Sequence, residues 1–389
     1  VSKIINLRCA TPHRNRWTGI GITMQIPMYD KTETNPSELL IGAMTDVASV
    51  SWYEAGTCVQ RFEQAFAALI GVEHCVSCAS GTDALILALK ALEVTAGDTV
   101  ALVANAGFYG STAVHAVGAT PVYVDVDDTT LCMCPESLNA VLQKHPVKAV
   151  IVTHLYGQLA AVNSIVTLCR DHGVMLIEDC AQACGAVDAA RCQAGSFGDI
   201  ACFSFYPTKN LGAYGDGGAL LCNRAELASR ARAIKQYGWR AKYQVDVGLG
   251  MNSRLDPVQA AILLRKLPLL AGWNARRREI AQQYSDGLAD IVRCPAVSSN
   301  SLSYVAHLYV VRTPKRDELR THLLENGIMS DVHYPIPDYR QPAYLNDGVS
   351  LPVTEENTPL LVSLPCYPGL SNDAVQTVIE TVKSWAVTK

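Results

Sequence analysis

Six short apolar runs, at 99–104, 121–126, 149–154, 174–178, 200–205 and 219–222, recur along the first two thirds of this chain, with helix-length segments between them. Their length predicts strands, and intervening stretches such as 135–144 and 161–172 carry helical spacing. Strands that are apolar throughout belong in a mainly parallel sheet covered by helices on both faces, an α/β fold. Such a sheet binds its ligands beyond the carboxyl ends of its strands. From about Asn252 a long helical stretch runs to Tyr284, followed by shorter strands and helices. A chain of 389 residues has room for two domains. The expected organisation is an N-terminal extension over 1–25, a large domain over 26–272 and a smaller α+β domain over 273–389.

Two features lie just past predicted strand ends. Lys209 sits in Ser204-Phe205-Tyr206-Pro207-Thr208-Lys209-Asn210-Leu211-Gly212, ahead of Gly215-Asp216-Gly217-Gly218; upstream, Ile177-Glu178-Asp179 closes an apolar run, with Gln182 beyond it. A lysine amine forms a Schiff base with an aldehyde, and a carboxylate holds a pyridine nitrogen protonated. Together they are what a protein contributes to pyridoxal phosphate chemistry. Either alone is weak, since most lysines are solvated and most strand-end aspartates cap turns. A third feature adds weight. Ser80-Gly81-Thr82 opens the strong helix former Asp83-Ala84-Leu85-Ile86-Leu87, and unpaired N–H groups with the helix dipole make such an end an anion site. By itself this reads as an ordinary N-cap; beside Lys209 and Asp179 it reads as a phosphate site.

Composition narrows the alternatives. With 49% hydrophobic and 17% charged residues the chain reads as globular. A formal net charge of −4 without a long basic stripe offers nothing general to nucleic acid. No apolar run is long enough to span a bilayer, and charge interrupts the opening Val1-Ser2-Lys3-Ile4-Ile5-Asn6-Leu7-Arg8, so no signal peptide is expected and the expected compartment is the cytoplasm. Fourteen cysteines include Cys75 and Cys78 in a CxxC, but no second pair or histidine pair completes a zinc site, so no metal is assigned. A nicotinamide dehydrogenase is disfavoured because Gly19-Ile20-Gly21 does not extend to GxGxxG.

Six ordered motifs then carry a resemblance: SGTDALILAL from Ser80, HLYGQ from His154, IEDCAQACGA from Ile177, SFYPTKNLGAYGDGGAL from Ser204, GMNSRLDPVQAA from Gly250 and SLPCYPGL from Ser363. From Ile26 to Val378 the chain resembles the DegT-type pyridoxal-phosphate-dependent sugar aminotransferases. The resemblance implies the type I aminotransferase fold, with a mostly parallel seven-stranded sheet in the large domain. It implies Lys209 as the Schiff-base lysine and proton shuttle, Asp179 as partner of the pyridine nitrogen and Gln182 as partner of the 3-hydroxyl. Gly81, Thr82 and Ser204 match phosphate ligands. Phe108 matches the aromatic that stacks on the ring, with Tyr109 the alternative. Asn252 matches a residue reaching the phosphate of a neighbouring subunit, which implies a homodimer with shared sites. Relatives that act as dehydratases replace the lysine, which is present here. A cofactor-bearing regulatory protein is the non-enzymatic alternative.

The substrate implied is a nucleotide-linked keto-deoxyhexose, with the 3-keto position favoured over 4-keto-sugar or cyclitol readings, and L-glutamate as amino donor. Arg240, Lys242 and Tyr243 are candidates for the nucleotide diphosphate, against a plain solvated loop. His333, Tyr334 and Tyr339 are candidates for sugar contact. Two positions depart from the pattern: Cys184 and Tyr339 stand where relatives commonly carry histidine.

Overall fold

A computed structural model describes residues 25–49, 56–296 and 301–387. Helices α1 (Ser37–Ala48) and α2 (Thr57–Ile70) lead into strand β1 (His74–Cys78) and helix α3 (Gly81–Ala91). Then follow β2 (Thr99–Val103), α4 (Tyr109–Ala116), β3 (Thr120–Val124), α5 (Pro135–Lys144), β4 (Val147–Thr153), α6 (Val162–His172) and β5 (Met175–Asp179). Strands β6 (Ile200–Ser204) and β7 (Gly218–Cys222) come next without a helix between them, followed by α7 (Ala225–Ile234). The seven strands form one sheet in the order β1-β7-β6-β5-β4-β2-β3. Every neighbouring pair is parallel except those made by β7, which runs antiparallel to both β6 and β1.

The strand pattern expected from the sequence is present, with one addition. His74-Cys75-Val76-Ser77-Cys78 has a single β-branched residue and two polar ones, a weak strand signal on its own. It forms β1 because β7 supplies a full antiparallel ladder, from His74 opposite Cys222 to Cys78 opposite Gly218.

Alternation along the strands builds two layers, as the two-residue pleat requires. Val76, Val100, Leu102, Ile151, Ile177 and Leu220 face one way and pack under α3, α4 and α7. Ala201, Phe203, Ala219 and Leu221 face the other way, under α1, α2 and a later helix, α8 (Pro257–Lys266). Helix α2 spaces Val59, Phe62, Phe66 and Ile70 along one stripe and stops at Gly71, whose φ of 82° is the left-handed cap that glycine accepts readily. Phe66 stacks on Phe62 with ring centroids 5.5 Å apart and meets Phe203 and Phe205 edge-on at 5.0 and 5.3 Å. This aromatic knot lies directly behind the segment that carries Lys209.

Past the sheet, β8 (Trp239–Ala241) and β9 (Gln244–Val245) form a small hairpin. The single long helix expected from Asn252 is two helices. Pro268 lacks the N–H that a continuous helix needs, so a 3-10 turn over Leu267–Leu269 separates α8 from α9 (Leu270–Leu288). The expected domain junction at Trp273 therefore falls inside α9. A separate C-terminal core begins at Ile280 on that helix. It gathers β10 (Tyr309–Arg312), α10 (Arg316–Glu325), β11 (Leu361–Leu364) and α12 (Asn372–Val387), and draws in Ile26 from far upstream. A short helix, α11 (Pro352–Asn357), precedes β11.

Phe66→Ala should cost about 3–5 kcal/mol, the range for emptying a fully buried aromatic site, read as a lower denaturation midpoint of the apo-chain. An unchanged midpoint would show that the knot behind Lys209 does not carry stability.

Candidate active site

The carboxyl ends of β1, β4, β5 and β6 are Cys78, Thr153, Asp179 and Ser204. These strands run the same way, so their last residues arrive at one edge of the sheet, and antiparallel β7 begins there with Gly218. A cavity of about 660 Å³ opens at that edge, within the range of small-molecule and cofactor sites. Its walls include Gly81, Thr82, Asp179, Gln182, Ser204 and Lys209. Residues far apart in sequence are thus brought to one space.

The anion end is built by close approach. Ser80 caps α3, its side chain accepting the Asp83 N–H at 3.1 Å, while its carbonyl takes the Ala84 N–H at 3.0 Å. The N–H groups of Gly81 and Thr82 are left without intrahelical acceptors. A Cβ on Gly81 would lie 2.6 Å from the Ser204 Cβ, and one on Gly218 would lie 2.2 Å from the Ser80 carbonyl oxygen. Only glycines let these strand ends close around the loop. Ser253 ties it from below, donating to Asp83 Oδ2 at 2.6 Å and accepting the Ala79 N–H at 3.0 Å.

Asp179 is buried, and burial pushes its carboxyl pKa up. The Ala181 N–H at 3.1 Å, the Lys209 charge and the Thr153 hydroxyl at 3.3 Å work against that rise. Behind it stands a braced pair. His154 donates from Nε2 to Glu178 at 3.0 Å, its other ring nitrogen accepting the Ala160 N–H at 3.2 Å, while the His154 N–H donates to the Asp179 carbonyl. Glu178 also accepts from the N–H groups of Gly195, Phe197 and Gly198. Cys180 lies close to this pair, but a carboxylate already holding four donors has no lone pair directed at a metal.

Lys209 occupies the turn between β6 and β7. Its N–H donates to the Tyr206 carbonyl, the Ala213 N–H closes onto Phe205, and the buried Lys266 Nζ donates to the Gly212 carbonyl at 2.7 Å. Next door, Asn210 donates to Asn274 Oδ1 at 2.7 Å and to the Val305 carbonyl at 3.0 Å, and its own oxygen receives His307 Nδ1 at 3.0 Å. Asn274 in turn donates to the Cys184 carbonyl at 2.9 Å. Burial lowers the Lys209 amine to about 8, with Asp179 opposing the shift. A lysine with that value exchanges its proton near neutrality.

The remaining expected residues divide. Gln182 is held, accepting the Tyr156 N–H at 2.6 Å and donating to the Tyr334 hydroxyl at 3.0 Å; His333 and Tyr334 line the same cavity. Phe108 does not. It is the N-cap of α4, 41% exposed at a φ of 63°, and Tyr109 beside it lines the cavity instead. Tyr339 is corrected outright as a cavity residue: it is buried against Tyr123 and its hydroxyl donates to Glu355 at 2.7 Å. Arg240, Lys242 and Tyr243 lie on the β8–β9 hairpin, away from the cavity of their own chain. Arg240 pairs with Asp246 at 2.8 Å, and Tyr243 is 80% exposed. Asn252 is exposed and also outside that cavity. Sequence reading missed Tyr29, Arg277 and His307 in the lining, since nothing local marks a helix arginine or a lone histidine as facing a cavity.

A phosphate cradle, a buried carboxylate and a lysine of lowered basicity around one cavity fit pyridoxal phosphate, and with this fold they define a pyridoxal-phosphate-dependent aminotransferase. The chain belongs to the DegT/DnrJ/EryC1/StrS aminotransferase family, whose sequence pattern matches residues 36–383. It is 40% identical over 364 residues to the dTDP-3-amino-3,6-dideoxy-alpha-D-galactopyranose transaminase of Aneurinibacillus thermoaerophilus, covering 92% of this chain and 99% of that one. It is 30% identical over 363 residues to the 3-oxo-glucose-6-phosphate:glutamate aminotransferase of Bacillus subtilis, covering 90% and 81% respectively. The crystal structure of DesV from S. venezuelae superposes with a TM-score of 0.88 at 38% identity, over 94% of this chain and 99% of that one.

Two outcomes follow. Capture of pyridoxal phosphate by the apo-chain needs the neutral Lys209 amine, so its rate should rise with pH and level off above about 8, where a solvated lysine would keep rising to about 10.4; a profile still rising at pH 10 would contradict the lowered amine. Asp179→Asn should lower kcat by about 10²–10³-fold, as when a preorganised electrostatic partner is removed, and near-normal turnover would mean the pyridine nitrogen is held otherwise.

Proposed function

We propose that this chain transfers an amino group from L-glutamate to the keto carbon of a nucleotide-linked keto-deoxyhexose, with the 3-keto position favoured, in amino-sugar biosynthesis. The observation that carries this reading is the convergence of Lys209, Asp179 and the Gly81–Thr82 cradle on one cavity. The named activities of relatives supply the substrate classes. The transaminase of A. thermoaerophilus is named for a dTDP-linked 3-amino sugar, and the B. subtilis enzyme for a 3-oxo sugar and glutamate.

When bound, pyridoxal phosphate supplies the carbonyl that carries the amine and the electron sink that stabilises negative charge at the substrate carbon. The residues do the rest. Gly81 and Thr82 offer backbone N–H groups to the phosphate, with the Ser204 hydroxyl at the same wall. Asp179 keeps the pyridine nitrogen protonated, and Gln182 and Tyr334 hold each other so that one further amide N–H of Gln182 remains free for an oxygen. Lys209, once released from the cofactor, moves a proton to and from the substrate carbon, and a pKa of about 8 suits both directions. His333 stands across the cavity, its Nδ1 bonded to Ser363 Oγ at 2.8 Å, as the candidate sugar contact with Tyr334. Donor and acceptor use the same lysine in turn, so the kinetics are ping-pong.

The functional unit in this reading is a homodimer. Asn252 and the hairpin bearing Arg240, Lys242 and Tyr243 are exposed and outside their own cavity, positions suited to serving the cavity of a second copy.

The test is an absorbance spectrum of purified protein with pyridoxal phosphate. A visible band should appear, bleach on addition of L-glutamate and return on addition of a dTDP- or UDP-linked 3-keto-deoxyhexose. A band that no amine donor bleaches would replace this reading with a binding role.

A further inference from the structure

We propose that Arg277 is the carboxylate subsite for the amino-acid donor, binding one carboxylate of L-glutamate side-on through its Nε and Nη2 edge. The inference rests on the donor reading above.

Arg277 lies in α9 at the wall of the cavity that holds Lys209, yet it is only 2% exposed. Its Nη1 is fully used, donating to the carbonyls of Cys366 at 2.5 Å and of Ala306 and His307 at 3.3 Å. Those bonds orient the guanidinium and neutralise nothing. The Nε–H is buried and has no partner, no carbonyl is bonded to Nη2, and the side-chain neighbour of the guanidinium is the Cys366 thiol, which burial keeps neutral. Among the described residues no carboxylate lies within ion-pair distance; Arg277 forms none of the salt bridges. The adjacent Arg276, by contrast, pairs with Glu279.

A guanidinium stays charged in any protein environment, and a buried charge without a counter-ion is costly. The edge left over here, Nε with one Nη, is one that matches the two oxygens of a carboxylate in a paired fork. Nearby groups point the same way. Tyr29, also in the cavity wall, feels the Arg277 charge, and His307 is held neutral by burial and by the charges of both Lys209 and Arg277. A neutral imidazole beside Arg277 compensates none of its charge. The phosphate cradle at Gly81 stands on α3, a different element, so Arg277 is free for a second anion. A donor held there by its carboxylate would present its amine to the cofactor beside Lys209. The keto acid formed from the donor in that same half-reaction keeps this carboxylate and leaves from the same subsite before the keto sugar enters.

The test uses holoenzyme and reads the two half-reactions separately by rapid mixing. Arg277→Lys keeps the charge and loses the fork. It should lower kcat/KM for L-glutamate by about a hundredfold, the scale of breaking one desolvated charge-assisted pair, mainly through KM. The loss in the keto-sugar half-reaction should be at least about tenfold smaller. Maleate, a dicarboxylate that cannot react, should compete with glutamate in the wild type and bind about a hundredfold more weakly to Arg277→Lys, while thymidine diphosphate binds both alike. A variant within threefold of wild type towards glutamate, or one that loses thymidine diphosphate instead of maleate, would overturn the assignment. Should the variant fail to fold, a crystal structure of wild-type holoenzyme with maleate decides. A maleate carboxylate on the Nε–Nη2 edge supports the subsite, and maleate elsewhere or absent refutes it. A wild type untouched by glutamate, with maleate still on Arg277, would sink the donor reading alone.

Discussion

Burial lowers the Lys209 amine to about 8 and raises the Asp179 carboxyl, so the charge on each leans on the other and on whatever enters the cavity between them. That opposition is what the rest of the molecule maintains. A solvated lysine would stay protonated at neutral pH, and a solvated aspartate would be screened from a ring nitrogen. Both must be withdrawn from water together, and each is paid out of the same desolvated space.

The sheet makes that withdrawal possible. Parallel strands deliver Thr153, Asp179 and Ser204 to one edge, and the reversed strand β7 returns the chain to the same edge just after Lys209. Glycines at 81 and 218 let backbone pack against backbone where any Cβ would intrude. Around them, polar groups that look structural hold the reacting ones still. The His154–Glu178 pair anchors the end of β5, the Asn210–Asn274–His307 network fixes the turn after Lys209, and Lys266 secures Gly212. Asp338 does the same for the far wall. It takes the Phe108 N–H at 2.9 Å and the Ser111 hydroxyl at 2.5 Å, and burial raises its carboxyl to about 6.

Much of this was legible in the residues. Strand-length apolar runs and helical spacing define the α/β class because burial on both faces demands them. Lys209, Asp179 and the Ser80-Gly81-Thr82 helix start were readable because each combines a reactive or binding group with the local backbone signal that positions it. Tyr339 was misread, and of Phe108 and its alternative Tyr109 it is Tyr109 that lines the cavity. An aromatic ring is equally at home in a core or at a cavity, and one residue of offset separates Tyr109 from Phe108. Tyr339 satisfies its hydroxyl on Glu355, only sixteen positions further along, yet nothing in the intervening residues announces that partner. The break at Pro268 was visible in the sequence but outweighed by the helix formers around it.

By itself the sequence determined the alternation of strands and helices from β2 to β5, the lysine, the aspartate and the glycines, because these depend on local periodicity and on chemistry that few residue types possess. Only the tertiary structure decided which side chains share the cavity. Arg277 illustrates the difference: its neighbours Arg276 and Arg278 are chemically identical, and all three sit on one helix. Packing of α9 against the Ala306, His307 and Cys366 carbonyls turns Arg277 inward, with a charge left unpaired. That distinction arises from contacts between segments about 30 and 90 positions apart, which one-dimensional spacing does not encode.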